Sequence, residues 1–306
     1  MRERRLGTSD LVVSAVGLGC NMFGRRVDGA GARAIVDAAL GAGVTFFDTA
    51  ESYGDGESER LLGRALAGRR DRAVIATKFG WGVPGGGSAE YVRAAIDRSL
   101  ERLGVDHVDL YQYHRPDGVT PLEETLGALD ELVRAGKVRH VGSSNFTAEQ
   151  VRDADALARE RGFARFVSAQ NEYSLLARDA EAELVPALEE LGLGLIPYFP
   201  LARGLLTGKV RRGQPPPPGT RLAEQGLGLR GGGPVEESDW DRLEALEAFA
   251  RERGLSLLDV AIGGLAALPA VGPVIAGATS PEQVRANAAA GAWEPSPEEL
   301  ELLRAL

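Results

Sequence analysis

In FFDTAESYGDGESER (46–60), an apolar run that begins at Val44 stops at Asp48, and Tyr53 follows in a loop holding Gly54 and Gly56. Lys78 ends AVIATK (73–78) and His114 ends HVDLYQYH (107–114). These four side chains make a coherent set. A free tyrosine has a pKa of about 10 and donates protons poorly at neutral pH. A nearby lysine cation favours the phenolate and lowers that value. A carboxylate holds the ammonium and balances its charge in a desolvated pocket. A histidine across the pocket orients a carbonyl oxygen. Together they describe a tuned general acid facing a polarised carbonyl.

Singly, each residue has a plainer reading. Asp48 could cap a helix, Tyr53 could be a packed aromatic, and His114 could be structural. Lys78 could be a solvated strand end or a Schiff-base lysine. The last role needs a neutral amine, which an adjacent Asp48 would oppose. What gives the set its weight is the coincidence of four such residues at consecutive strand ends.

The elements that must position them repeat along the chain. Short β-rich runs occur at 14–19, 44–49, 73–78, 107–114, 138–144, 166–171, 193–199 and 271–277. Most starts lie about thirty residues apart, the size of one βα unit. Helical spacing lies between them, as in Val92, Ile96, Leu100 and Leu103, or Leu122, Leu126, Leu129 and Val133. TPLE (120–123), TAEQ (147–150), SPEQ (280–283) and SPEE (296–299) read as capping boxes, three of them with Pro at the first helical position.

Eight nearly continuous apolar strands alternating with helices predict an α/β chain, a (β/α)8 TIM barrel. A doubly wound sheet is the alternative, but GLGCNMFG (17–24) is not its GxGxxG fingerprint. Residues 2–13 read as an N-terminal β-hairpin plugging the barrel bottom, and SPEE opens an extra C-terminal helix. The region between strand seven and helix seven is long, and its Pro/Gly-rich stretch 213–234 reads as a lid loop or as an insertion without a task. The expected organisation is one domain over residues 1–306.

Composition narrows the partners. Of 306 residues, 44% are apolar and 26% charged, which suits a soluble globular chain. A net charge of −9 argues against nucleic acid and anionic membranes. Cys20 is the one cysteine, so neither an internal disulfide nor a Cys/His metal site is expected. MRERRLGTSD lacks the apolar run of a signal peptide, and no segment has the length of a membrane span, so a cytoplasmic location is expected.

FFDTAESYGDGESERLLGRAL, VIATKFG and DLYQYHRPD resemble the aspartate–tyrosine, lysine and histidine segments of the aldo-keto reductases. RHVGSSNF, SAQNEYSLL, PYFPLARGLLTGK and VIAGATSPEQVRAN resemble the remaining segments in the same order, from about residue 5 to 290. The resemblance implies a (β/α)8 carbonyl reductase using NADPH/NADP+, with NADH not excluded. Tyr53 would be the general acid, Lys78 its partner, Asp48 the anchor of Lys78, and His114 the carbonyl orienter.

By the same resemblance, Ser144, Asn145 and Gln170 would hold the nicotinamide carboxamide, and Tyr198 would stack on its ring. Cys20, Asn21 and Asp48 would also lie against the cofactor. Phe199, Pro200, Leu201, Ala202 and Arg203 would line the pyrophosphate, with Lys209 and Arg221 as cationic clamps. Gly277, Thr279, Gln283 and Asn287 would meet the adenosine end. The chain departs from the pattern at Ala286, where many relatives carry an acid, and at Phe199, where serine is common. Only Thr279 and Ser280 are offered to a 2′-phosphate.

The expected partner is a small carbonyl or alcohol substrate. Asn21, Met22, Phe23, Trp81, Arg115 and Phe146 follow strand ends and could line its pocket. Arg115 has three open readings: a contact for a carboxylate, a contact for a sugar hydroxyl, or a partner of Asp117. The alternative function is a nucleotide-sensing binding protein with little turnover on the same barrel.

Overall fold

The computed structural model describes residues 1–226, 228–229 and 233–306, and of Arg221 and Gln225 the backbone alone. It opens with an antiparallel hairpin, β1 (Glu3–Arg5) and β2 (Val12–Ser14). Then follow β3 (Val16–Gly19), α1 (Gly29–Gly41), β4 (Phe46–Asp48), α2 (Glu57–Leu66), β5 (Val74–Phe79) and α3 (Ala89–Leu103). β6 (Val108–Tyr113), α4 (Leu122–Arg134), β7 (Val138–Ser144), α5 (Ala148–Arg161), β8 (Phe166–Glu172), α6 (Leu184–Leu191) and β9 (Gly194–Tyr198) continue the alternation. The long region beyond β9 holds the short helix α7 (Arg221–Gln225), then α8 (Glu237–Glu252) and α9 (Leu257–Ala266). The chain ends with β10 (Val274–Gly277), α10 (Pro281–Ala290) and α11 (Pro297–Ala305).

Strands β3 to β9 pair in parallel in chain order, with β10 on the far side of β3. The circle closes where Leu195 bridges Val271: the Leu195 N–H donates to the Ala270 carbonyl and the Gly272 N–H to the Leu195 carbonyl, both at 2.7 Å. The expected eight strands are β3 to β10, and the fold is the (β/α)8 barrel with the expected hairpin and final helix.

Period-two alternation explains what each strand residue faces. Phe46, Ala76, Leu110, Ile196 and Ile275 form a small inner cluster with Leu6, Leu11 and Val13 of the hairpin, which therefore stoppers the N-terminal end. Phe47, Ile75, Phe79 and Tyr111 belong to the larger layer between barrel and helices. Two residues beyond Phe46, Ala76 and Leu110, on the same inner face, stand Asp48, Lys78 and Gln112. The barrel lumen is thus apolar below and polar above.

The helix starts correct two expectations. Thr147 and Ser296 make full capping boxes with Gln150 and Glu299. At α4 the cap is Pro121 with no side-chain bond, because the Thr120 hydroxyl donates to Asp117 at 2.6 Å instead. At α10 Ser280 caps Gln283, but the Gln283 side chain turns back to the Thr279 N–H at 2.8 Å. Boxes built on Glu236 with Asp239, and on Ser256 with Asp259, went unread because aspartate stands at the third position.

Helix α2 packs on α3 through Gly63, where a Cβ would run into the carbonyl oxygen and backbone of Leu103. Gly63→Ala is expected to cost about 1–3 kcal/mol by overpacking, despite alanine's better helix propensity. A denaturant midpoint equal to the parent's would refute this.

Candidate active site

The loop after β4 is pinned before it presents Tyr53. The Thr49 N–H donates to the Ala76 carbonyl at 2.9 Å and the Glu51 N–H to the Lys78 carbonyl at 3.1 Å. The Glu51 carboxylate accepts from the Gly80 N–H and the Tyr91 hydroxyl, each at 2.8 Å. Gly54, Asp55 and Gly56 then take left-handed φ values of 58°, 53° and 82°. At Gly56 the left-handed φ favours glycine, and a Cβ there would also press on the Arg102 side chain at 2.6 Å. Tyr53 is consequently fixed over the end of β5.

Lys78 is wholly buried, and its ammonium spends its three protons on three acceptors. Nζ lies 2.6 Å from Asp48 Oδ2, 2.9 Å from the Thr49 carbonyl and 3.2 Å from Tyr53 Oη. Asp48 is 3% exposed and accepts at its other oxygen from Gln170 Nε2 at 2.8 Å and, more weakly, from Gln112 Nε2 at 3.4 Å. A buried ion pair with its remaining lone pairs engaged is the arrangement that offsets desolvation. Burial works against the Lys78 cation, but Asp48 and Tyr53 outweigh it and raise its pKa. A neutral amine for Schiff-base chemistry is therefore disfavoured.

The tyrosine corrects an expectation. Its pKa is raised, not lowered: desolvation is the largest influence, and Lys78 pulls the other way without overcoming it. Since Lys78 donates to the phenol oxygen, the phenol's own proton is left for another acceptor.

His114 follows β6, 7% exposed, its ring edge-on to Tyr53 at 5.8 Å and tilted against Trp81 at 4.7 Å. Burial, then Lys78 and Arg115, hold its pKa well below the usual histidine value, so the imidazole is neutral. Nδ1 is buried without a partner. Keeping the proton on Nε2 avoids an unpaired buried N–H and leaves that nitrogen as the donor.

The other expected positions fall into groups. Asn145, at the left-handed φ of 59°, donates through Nδ2 to the His114 carbonyl at 2.9 Å and to Ser144 Oγ at 3.1 Å. Its Oδ1 accepts from the Tyr198 hydroxyl at 2.8 Å. Ser144, Asn145, Gln170 and Tyr198 thus form one connected rim with Asp48. Beyond β9, Phe199, Ala202 and Arg203 also take left-handed φ values, between 47° and 58°, around Pro200 and Leu201. The Arg203 guanidinium stands 4.6 Å over the Phe199 ring, with Nε buried and unpartnered. Lys209 is exposed. The Arg221 side chain lies outside the described residues, as does part of the 213–234 stretch. Elsewhere that stretch is tethered: Arg26 donates to the Gly219 carbonyl at 3.2 Å and to Glu224 at 2.6 Å.

At the end of the neighbouring strand β10 and beyond it, Gly277, Thr279 and Gln283 are exposed and Asn287 is buried. A Cβ on Gly277 would approach Asn21 Oδ1 at 3.5 Å. Cys20 is fully buried, its thiol 3.7 Å from the Leu18 carbonyl, and burial raises its pKa strongly. Phe23 and Phe146, expected on a substrate wall, are instead core residues at 0% and 2% exposure, because they pack outward under the helices.

Sequence reasoning missed Gln112 and the Thr49 carbonyl. Gln112 was legible as a polar residue interrupting HVDLYQYH, two positions before His114 and so on the same face. No sequence signal marks a backbone carbonyl.

The family model for the aldo/keto reductase family matches residues 15–306. The chain belongs to that family, and the match supports an oxidoreductase. It is 36% identical over 296 residues to a probable voltage-gated potassium channel subunit beta of Oryza sativa subsp. japonica, covering 94% of this chain and 90% of the relative. It is 36% identical over 301 residues to an uncharacterised oxidoreductase of Bacillus subtilis (strain 168), covering 93% and 89%. With a probable aldo-keto reductase of Glycine max it shares 39% over 216 residues, covering 67% and 61%. No helix among the described residues is long and apolar enough to cross a membrane.

Proposed function

We propose that this protein is an NADP(H)-dependent reductase of aldehydes or ketones in which Tyr53 is the general acid. The observation that carries the reading is the Lys78 ammonium, wholly buried and shared between Asp48 at 2.6 Å and Tyr53 at 3.2 Å. Lys78 fixes the phenol oxygen and stabilises the charge that develops there as the proton leaves. Asp48 keeps Lys78 charged and in place. Neutral His114 offers an N–H to the carbonyl oxygen and so sets which way the carbonyl points.

The donor set fits a nicotinamide dinucleotide. Gln170 commits its N–H₂ to Asp48, leaving its oxygen to accept from a carboxamide, while Ser144 and Asn145 stand on the same rim. The Tyr198 ring is steadied by its bond to Asn145. The unpartnered Arg203 Nε and exposed Lys209 suit the pyrophosphate, with Arg221 assigned there from the sequence. Gly277, Thr279, Gln283 and Asn287 suit the adenosine end, and Asn21 and the Cys20 backbone suit the edge beside β3. When bound, the cofactor supplies the hydride.

Titration of the intrinsic fluorescence tests this, since Trp81 stands 43% exposed at the mouth. NADPH is expected to quench at a Kd at least about tenfold below that of NADH, a difference of ~1.4 kcal/mol. No saturable change with either nucleotide would remove the cofactor assignment.

A second reading, a nucleotide-sensing subunit with little turnover, draws support from two relatives named as probable potassium channel beta subunits, at 36% and 35% identity. The presence of all four chemical groups in contact favours turnover. Saturable NADPH binding with no oxidation across a panel of carbonyl compounds would reverse that preference.

A further inference from the structure

Arg115 directly follows His114, and the sequence left its partner open. Asp117 is not that partner. Its carboxylate accepts from the Gly87 N–H at 2.9 Å, the Val119 N–H at 2.9 Å, the Thr120 N–H at 2.8 Å and the Thr120 hydroxyl at 2.6 Å. Partial burial opposes the charged form, but these bonds outweigh it and hold the pKa at about 2. Asp117 is therefore a permanent anion spent on organising its own loop.

The guanidinium of Arg115 lies instead over the Trp81 ring, 5.0 Å from its centroid. Trp81 in turn rests against His114 at 4.7 Å, and the Tyr53 ring meets the same imidazole edge-on at 5.8 Å. The cation is thus one aromatic ring away from the reacting groups, on the outer wall of the mouth. Its field reaches inward: after burial and Lys78, Arg115 is the next influence lowering His114. In Tyr198, whose pKa burial and Glu172 push up to about 12, Arg115 acts in the opposite direction.

No described carboxylate forms an ion pair with Arg115, although the chain has 44 acidic side chains against 35 basic ones. Arg33, Arg60, Arg64, Arg93 and Arg134, all on outer helices, each have a carboxylate partner, whereas Arg5, Arg25 and Arg251, like Arg115, have none among the described residues; what sets Arg115 apart is its place on Trp81 beside His114. An exposed guanidinium resting on an aromatic face, with no ion-pair partner among the described residues, is poised for an external anion, because it presents several donors in a planar fork.

We infer that Arg115 is a specificity-determining residue that selects carbonyl substrates bearing an anionic group, a carboxylate or a phosphate, at the end remote from the carbonyl. The inference rests on the proposed reductase activity. With the carbonyl held between Tyr53 and His114, a substrate tail running out along Trp81 meets Arg115 at the rim. The contact of the guanidinium with the Trp81 ring reduces the side-chain entropy lost when the anion binds.

Two matched aldehyde pairs test it by NADPH oxidation: benzaldehyde with para-carboxybenzaldehyde, and glyceraldehyde with glyceraldehyde 3-phosphate. The parent is expected to favour the anionic member of at least one pair, mainly through a lower KM. Arg115→Gln, which keeps most of the stem, should reduce kcat/KM for that anionic member by about 10- to 100-fold, and for its neutral partner by at least tenfold less. Arg115→Lys should restore part of the preference, as a point charge without the fork. A preference in the first pair alone assigns a carboxylate, and in the second alone a phosphate; either supports the inference. Turnover of neutral aldehydes with no anionic preference, or a preference that survives Arg115→Gln, overturns it while leaving the reductase reading standing. Failure to oxidise NADPH with any of the four aldehydes overturns the reductase reading, and the selection by Arg115 with it.

Discussion

Tyr53→Phe is expected to lower kcat for carbonyl reduction by roughly 10²–10⁴, the range for loss of a positioned general acid. The substitution removes one oxygen and leaves the ring against His114 at 5.8 Å, so the site should keep its shape. Nucleotide affinity should stay within about twofold, because Tyr53 supplies no donor to the carboxamide rim formed by Ser144, Asn145 and Gln170. Stopped-flow or steady-state NADPH oxidation, paired with the fluorescence titration, separates the two effects. A variant that turns over at more than about a tenth of the parental rate would deprive Tyr53 of its role.

The pH dependence should carry the same signature. Tyr53 is held above its usual value of 10.0, chiefly by desolvation, so it remains the protonated acid through the neutral range. His114 is held well below 6.5, so it remains neutral there. Neither group changes state between about pH 7 and 9, and reduction should be nearly flat across that window. The rate should fall only as the medium becomes alkaline enough to deprotonate the phenol. A descending limb centred near neutrality would assign the essential acid to some other group.

The second large effect is on stability. Lys78→Met removes the cation paired with Asp48, which is 3% exposed and lies 2.6 Å from Nζ. The carboxylate would be left buried with only amide donors from Gln170 and Gln112. Breaking one side of such a pair costs about 3–5 kcal/mol, whereas replacing both partners by well-packed apolar residues is often nearly neutral. The double variant Asp48→Asn with Lys78→Met should recover a large part of that loss, because no uncompensated charge remains. Denaturant midpoints with unchanged slopes are the measurement. A loss below about 1 kcal/mol for Lys78→Met would show that solvent reaches Asp48 and that the pair is not the buried anchor described above.

Much of this molecule is legible in the chain because strand and helix periods are local. Runs such as VTFFDT and AVIATK are apolar on both faces, which demands layers on both sides, and eight of them at regular spacing demand closure. The same alternation put Asp48, Lys78 and Gln112 on the inner face beyond Phe46, Ala76 and Leu110, so the polar mouth follows from period two alone. Short-range chemistry was also readable at Thr147 and Ser296, where the capping partner lies three residues away.

What only the folded chain decided are competitions between distant groups. Whether Tyr53 is acidified depends on the balance between burial and Lys78, and that balance needs the packed loop; it came out against the sequence-level expectation. Whether Thr120 caps α4 depended on Asp117, whose carboxylate also accepts from the Gly87 N–H thirty residues earlier. With its oxygens engaged by these donors, Asp117 does not pair with Arg115, which decides against one of the three readings that the sequence left open. Phe23 and Phe146 followed strand ends as pocket residues do, yet packing turned them into the core. Residue types and periods are fixed along the chain, whereas desolvation and partner choice are properties of the surroundings, which exist only once the barrel has closed.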